Sequence, residues 1–248
     1  MSQVRFDFSG GRYAVTGASS GMGRQIAAEL AAAGAQVLAL ARRETELQKL
    51  QQEFPGQVYI AAVDVCDADA MEMAIADFVQ HQGKLHGSVH AAGIGGLTPL
   101  RAYDRALAHK IMDTSFWAGM DFLQIVTKGK YAEAGTSNVL FSSADAVYSG
   151  RGKFAYSAAK AAVNSAVKVA AKELCAKQHR VNAIMPGWVA TPMTAAVGNL
   201  VDTEGIAANE LLGAGQPTDV SGMVLFLLSD QARWITGAAL SVDGGFLA

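Results

Sequence analysis

The chain holds 248 residues, 51% of them hydrophobic and only 17% charged, with a formal net charge of -2. That length suits one large domain with a buried core, and so apolar a composition excludes intrinsic disorder. The missing basic surplus argues against nucleic-acid binding, which needs cations to neutralise phosphates, and no polybasic run marks a membrane-binding face.

Short apolar runs alternate with longer helical patterns from the start. A strand over 13–16 leads through a Gly-rich turn to a helix over 22–33. Strand 36–41 precedes helix 43–53, and strand 58–63 precedes helix 67–82. Strand 88–91 precedes a long helix over 103–128, strand 138–142 precedes another over 155–178, and strand 180–185 follows. Helix 217–228 and strand 239–242 close the pattern. Strands without polar alternation are buried on both faces, the mark of a parallel sheet covered by helices. The expectation is a single α/β domain over 1–248, doubly wound, with about seven strands. The stretch 188–212, without a clear element after the sixth strand, is a candidate substrate lid, because ligands in such folds bind beyond the carboxyl ends of the strands.

Cys66 and Cys175 are isolated, so neither a disulfide framework nor a metal site is expected. Arg5 and Asp7 fall where a signal peptide needs its apolar core. No apolar run reaches the ~18 residues of a membrane span, and a cytoplasmic protein is expected. The helix over 155–178 is rich in alanine and valine on more than one side. One face can cover the sheet while the other packs on a second subunit or on the 103–128 helix of the same chain.

Two clusters carry chemistry. Glycines 17, 21 and 23 follow the first strand and open a helix, letting the backbone turn tightly and approach a pyrophosphate at the helix N-terminus. The second is Ser142-Ser143 after an apolar run, with Tyr156 and Lys160 further on. Four residues apart on a helix, phenol and ammonium share a face, and a neighbouring cation favours phenolate. Ser143 can then hydrogen-bond a carbonyl or hydroxyl oxygen while Tyr156 gives or takes its proton. A Y-x-x-x-K pair alone is weak in a chain with six tyrosines.

Together, T-G-x-x-x-G-x-G at 16–23, a serine, Y-x-x-x-K and Pro186-Gly187 resemble the short-chain dehydrogenase/reductase family. The resemblance runs from Gly11 to Gly245 and includes Gln216-Pro217, Phe226 to Asp230 and Thr236 to Gly245 in the tail. It implies a Rossmann-like fold, a nicotinamide cofactor, a small carbonyl or alcohol substrate, and a homodimer or homotetramer formed through the 103–128 and 155–178 helices. It also implies catalysis by Ser143, Tyr156 and Lys160, with Lys160 lowering the Tyr156 pKa and holding the nicotinamide ribose. Cofactor contacts are implied at Gly17, Ser19, Ser20, Gly21, Met22 and Gly23, at the adenine pair Asp64-Val65, and at Ala91 and Gly93. Pro186, the Val189 backbone and the Thr191 hydroxyl would hold the carboxamide. The alternative role for Asp64 is capping of the helix starting near Asp67, and the two roles can coexist.

At the end of the second strand an NAD enzyme would carry an acid for the ribose hydroxyl. Here Ala41 removes it and Arg42-Arg43 supply cations, so NADP is expected and NAD disfavoured, although Ser20 stands where some NADP members have a second basic residue. The alternative is that Arg42 and Arg43 are a solvated helix start. The chain departs from the family twice. His90-Ala91-Ala92-Gly93 replaces the usual Asn-Asn-Ala-Gly, and His90 reads as a structural histidine. Ser115 stands where an asparagine normally completes a catalytic tetrad through a water linked to the lysine.

Trp188, Met193, Val197 and Leu200 suggest an apolar lid, and Asp145 and Tyr148 follow the catalytic serine. Lys128, Lys130, Lys172 and Lys177 would suit an acidic carrier protein, since the chain also resembles 3-oxoacyl-carrier reductases. The open readings are therefore an NADP-dependent carbonyl reductase or alcohol dehydrogenase, a carrier-bound 3-oxoacyl reductase or a sugar or polyol dehydrogenase, and, in another class, a catalytically silent nucleotide sensor or scaffold.

Overall fold

Apolar strands that alternate with helices can satisfy their backbones only side by side, and the chain does this in one sheet. The computed structural model describes residues 4–198 and 210–248. Its strands are β1 (Arg12–Thr16), β2 (Gln36–Ala41), β3 (Val58–Ala62), β4 (Leu85–His90), β5 (Ala132–Phe141), β6 (Arg180–Pro186) and β7 (Ala239–Val242). They lie in the order β3-β2-β1-β4-β5-β6-β7, every pair parallel.

The helices are α1 (Gly21–Ala32), α2 (Glu44–Glu53), α3 (Ala68–Gln82), α4 (Arg105–Met112), α5 (Ala118–Val126), α6 (Asp145–Tyr148), α7 (Phe154–Leu174), α8 (Pro192–Gly198) and α9 (Pro217–Leu228). They cover both faces. On one, Ile26, Leu30, Leu50 and Val224 pack against Val15, Val37 and Ile184. On the other, Met71, Ile75 and Phe122 meet Ala14 and Leu38, while Val163 and Val167 of α7 meet Leu140 and Ala183. Successive strand residues thus feed opposite layers, which is why the strands read as unbroken apolar runs.

Several elements differ from the sequence expectation. The helix over 103–128 is broken: a 3-10 turn (Leu100–Ala102) precedes α4, and a π-helical turn (Asp113–Trp117) separates α4 from α5. One extra residue per turn there carries Ser115 fully inside. β5 begins six residues early, because Glu133, Ala134 and Gly135 bow outward where the β4–β5 register shifts, and this polar start gives no apolar signal. α7 ends at Leu174 and passes into a 3-10 turn (Cys175–Lys177). The stretch 188–212 contains α8, and residues 199–209, Leu200 among them, lie outside the described residues, as does the Val197 side chain.

Among the described residues no helix is long and apolar enough to cross a membrane. Both cysteines are free and exposed.

The strand order reverses between β1 and β4, and there the carboxyl ends open a crevice. Asp64 stands at its edge after β3 and does not cap α3. Asp67 does, its Oδ1 accepting from Ala70 N at 3.0 Å, while Asp64 Oδ1 accepts from Cys66 N and tightens the preceding turn. Asp67→Ala is expected to cost about 1 kcal/mol, or roughly 2–4 °C in Tm for a chain of this size, and more than Asp64→Ala costs; thermal unfolding of both variants checks the order.

Candidate active site

The Gly-rich turn leaves β1 at Thr16 and re-enters helix at Gly21. Gly17 (φ +70) and Gly21 (φ +55) are in the left-handed region, where a side chain is strained. A Cβ at Gly17 would lie 2.8 Å from Ala92 N, and one at Gly23 would lie 2.5 Å from Gly17 O. The first glycine lets β1 and the β4 end approach, and the third lets α1 close on the turn. A Cβ at Gly21 would press on Thr191 at 3.3 Å, so the turn and the segment after β6 face each other across the crevice. The crevice is a cavity of about 740 Å³ lined by Gly17, Ser19, Ser20, Gly21, Met22 and Gly23 on one side. Asp64, Val65, Ala91, Gly93 and Thr191 line the rest. The free amides of α1 and the positive end of its dipole open onto that space.

Of the two arginines after β2, Arg43 makes the closer contacts. Its Nη2 donates to Ser19 Oγ (2.9 Å) and Ser20 Oγ (2.6 Å), bringing a guanidinium onto the Gly-rich turn from the next strand. Arg42 is exposed and meets Asp64 loosely at 3.9 Å. Arg43 thus reaches the Gly-rich turn at positions 19 and 20, whereas Arg42 is solvated.

Ser143, Tyr156 and Lys160 converge at the carboxyl end of β5. α7 is fixed there by two reciprocal hydrogen bonds: Lys160 Nζ donates to Phe141 O (2.7 Å), and Ser142 Oγ donates to Lys160 O (2.9 Å). Ser143 and Tyr156 then line one cavity together with Lys160, Pro186, Val189 and Thr191. Burial of the phenol pushes the Tyr156 pKa up to about 12, with the Ser143 hydroxyl pulling it down and the Asp145 charge pushing it further up. Burial pushes Lys160 down to about 8.

The expected lowering of the phenol by Lys160 is therefore not met here. The four-residue spacing does put both on one face, but Nζ lies 5.7 Å from the ring centroid and turns to the Phe141 carbonyl, and desolvation dominates.

The two departures from the family pattern adjoin the lysine. The point a Gly93 Cβ would occupy is 3.4 Å from Ser115 Oγ and 3.5 Å from Lys160 Nζ, so serine and ammonium flank one gap. Ser115 Oγ is buried without a hydrogen-bond partner. His90 is buried, its Nδ1 3.0 Å from Thr16 Oγ1, while Nε2 has no partner and lies near the Gly119 backbone. Burial holds the imidazole at a pKa of about 3, Lys160 pushing the same way and the Thr114 backbone opposing, so His90 is neutral.

After β6, Val189 bridges to Gly215 and its carbonyl accepts from Thr194 Oγ1 (2.8 Å). The Thr191 hydroxyl accepts from Thr194 N at the start of α8. Next to Ser143 and Tyr156 lies a smaller cavity walled by Leu97, Trp188 and Met193, with Asp145 and Lys153 on its polar side. Trp188 N donates to the buried Glu210 carboxylate, whose pKa burial raises. Sequence reasoning missed both Lys153 and Glu210. Lys153 was discernible as the residue one helical turn before Tyr156, whereas Glu210 follows a featureless stretch.

Lys128 and Lys130 lie at the amino end of β5, opposite the end that carries Ser143. Lys128 and Lys130 flank the start of β5 and are both paired with Glu72, at 2.5 and 2.9 Å, and Lys177 lies beside Gly129. Counted along its β4 partner, because 133–135 bow outward, β5 separates Lys128 and Lys130 from Ser143 by about 20 Å at ~3.3 Å per residue.

Residues 17–247 match a family profile described as Enoyl-(Acyl carrier protein) reductase. A short-chain type dehydrogenase/reductase from Mycobacterium ulcerans superposes with a TM-score of 0.89 at 32% identity, covering 98% of this chain and 91% of that one. The chain belongs to the short-chain dehydrogenase/reductase family. The family consists of oxidoreductases acting on CH-OH and C=O groups with a nicotinamide cofactor. Among relatives, the chain is 35% identical to D-erythrulose reductase of Gallus gallus, covering 97% of each chain. It is 30% identical to a 3-oxoacyl-[acyl-carrier-protein] reductase of Thermotoga maritima, covering 94% of this chain and 96% of that one.

Proposed function

We propose that this protein is an NADP-dependent carbonyl reductase or alcohol dehydrogenase working through Ser143, Tyr156 and Lys160. The observation that carries the reading is the convergence of these three side chains at the mouth of a glycine-lined crevice. The crevice suits a dinucleotide: glycines 17, 21 and 23 line it without side chains, and a helix N-terminus faces it. The nicotinamide, when bound, supplies or accepts the hydride.

The chain's own residues handle placement and the proton. Ser143 Oγ donates to the substrate oxygen and stabilises its developing charge. Tyr156 Oη gives its proton to that oxygen in reduction and takes it back in oxidation, a contribution of roughly 10²–10⁴ in rate. Lys160 holds a positive charge beside the phenol and faces the ribose side of the crevice. Ser115, across the Gly93 gap, takes the place of the family's asparagine in passing the proton onward. The Val189 backbone and the Thr191 hydroxyl hold the carboxamide end, Asp64 and Val65 the adenine end. Trp188 and Met193 keep water from the reacting carbon, and the stretch 188–212 serves as the lid.

For the 2'-phosphate, Arg43 is the principal cation, with the Ser19 and Ser20 hydroxyls as further donors and Arg42 at the rim. The carrier-bound 3-oxoacyl alternative has weaker support from Lys128 and Lys130, which are both paired with Glu72. Two copies would meet through the outer faces of α7 and the α4–α5 segment, where Phe154, Val169 and Trp117 are exposed.

NADPH is expected to raise Tm more than NADH at equal concentration, and Arg43→Ala to weaken NADPH at least about tenfold and remove the difference. A larger shift with NADH would overturn the cofactor assignment.

The pH profile has a defined sign. The acid in reduction must be protonated, and a phenol near 12 stays so, whereas Lys160 loses its charge as pH rises through about 8. Reductive kcat/KM for NADPH, which reports the free enzyme, is expected to be flat below about pH 8 and to fall above it, while the oxidative rate rises with pH. A reductive rate that climbs from neutral to alkaline pH would contradict the assignment.

A further inference from the structure

The cavity beside Ser143 and Tyr156 holds an ion pair that hydride transfer does not use. Lys153 Nζ lies 2.9 Å from Asp145 Oδ2, with the side chains 26% and 15% exposed. Both line a cavity of about 100 Å³ together with Ser143, Tyr156, Trp188 and Met193. One short segment sets the geometry. The Asp145 backbone N–H donates to Ser143 Oγ (3.2 Å), and Lys153 caps α7 one turn before Tyr156. The pair therefore sits at a fixed offset from the oxygen that Ser143 and Tyr156 would hold.

Its chemistry selects among substrates. A carboxylate offers only acceptors and an ammonium only donors, and here they lie side by side. A hydroxyl is the group that can serve both at once, donating to Asp145 while accepting from Lys153. A substrate carboxylate or phosphate would be repelled by Asp145, and an amine by Lys153. A methylene chain would desolvate both charges and return no hydrogen bond, which is the costly case for a partly buried pair.

We propose that Asp145 and Lys153 clamp a hydroxyl next to the reacting carbonyl, so that the substrate is a neutral α-hydroxy ketone in reduction and a vicinal diol in oxidation. The assignment rests on the Ser143-Tyr156-Lys160 reading for the position of the carbonyl. If the pair served only to tie the 145–153 turn, its loss would slow every ketone alike.

The test compares 1-hydroxy-2-butanone with 3-pentanone, which has a methyl in place of the hydroxyl. Wild type is expected to favour the hydroxy ketone at least about 30-fold in kcat/KM, mostly through KM, and Lys153→Met and Asp145→Asn to reduce that ratio below about fivefold. Calorimetric titration of the same two ketones reads the clamp without turnover. Equal binding and equal turnover in wild type, or a ratio that survives in both variants, overturns the proposal. Preferential binding without turnover of either ketone supports the clamp and counts against the catalytic trio. Turnover without preference counts against the clamp alone.

Discussion

The site depends on one buried cation. Lys160 is only 4% exposed and has the Phe141 carbonyl, rather than a carboxylate, as its hydrogen-bond acceptor. Burying an ammonium this way costs several kcal/mol, which a charge-assisted hydrogen bond of roughly 1.5–3 kcal/mol offsets only in part. The depressed pKa of about 8 expresses that imbalance. In exchange the lysine and Ser142 tie α7 to the end of β5 at two points. The first turn of α7 thereby brings Tyr156 over Ser143, and the turn before it brings Lys153 beside Asp145. An uncompensated cation of this kind serves binding or chemistry better than it serves stability.

The surroundings of Lys160 explain why the departures from the family pattern cluster. His90 closes β4 in register with Thr16 of β1, at the point where the strand order reverses. Gly119 leaves room for its ring, and the π-helical turn between α4 and α5 carries Ser115 to the gap beside Gly93. Both changed residues thus leave a buried polar atom without a partner, Ser115 Oγ across the Gly93 gap from the ammonium and His90 Nε2 near Gly119. A neutral imidazole adds no charge there, so the electrostatics around Tyr156 remain those of desolvation, the Ser143 hydroxyl and the Asp145 charge. The substitutions alter the hydrogen-bonding path behind the trio and leave the trio's own geometry in place.

Much of this was legible in the sequence, for physical reasons. Strands such as Val37 to Ala41 are covered on both faces and read as apolar runs, so sheet and class were plain. The glycines at 17, 21 and 23 are required by positive φ or close approach, and that requirement survives as a spacing. What escaped depends on contacts between distant segments. Arg43 reaching the Ser19 and Ser20 hydroxyls, the start of β5 in a polar bow, the distance of Lys128 and Lys130 from the cavity and the pairing of Asp145 with Lys153 have no local pattern. The expected depression of the Tyr156 pKa failed for the same reason: spacing gives a shared face, but only the packed structure sets how strongly burial opposes the cation.

The central claim, that Tyr156 is the proton donor of a hydride-transfer site, is tested most directly by NADPH oxidation in the presence of a reactive diketone such as 2,3-butanedione. Wild type is expected to consume NADPH, and Tyr156→Phe to lose about 10²–10⁴ of that rate while still binding the cofactor. Equal rates in the two proteins, or no consumption by either, would contradict the account, and the latter would favour a nucleotide sensor that has kept the fold.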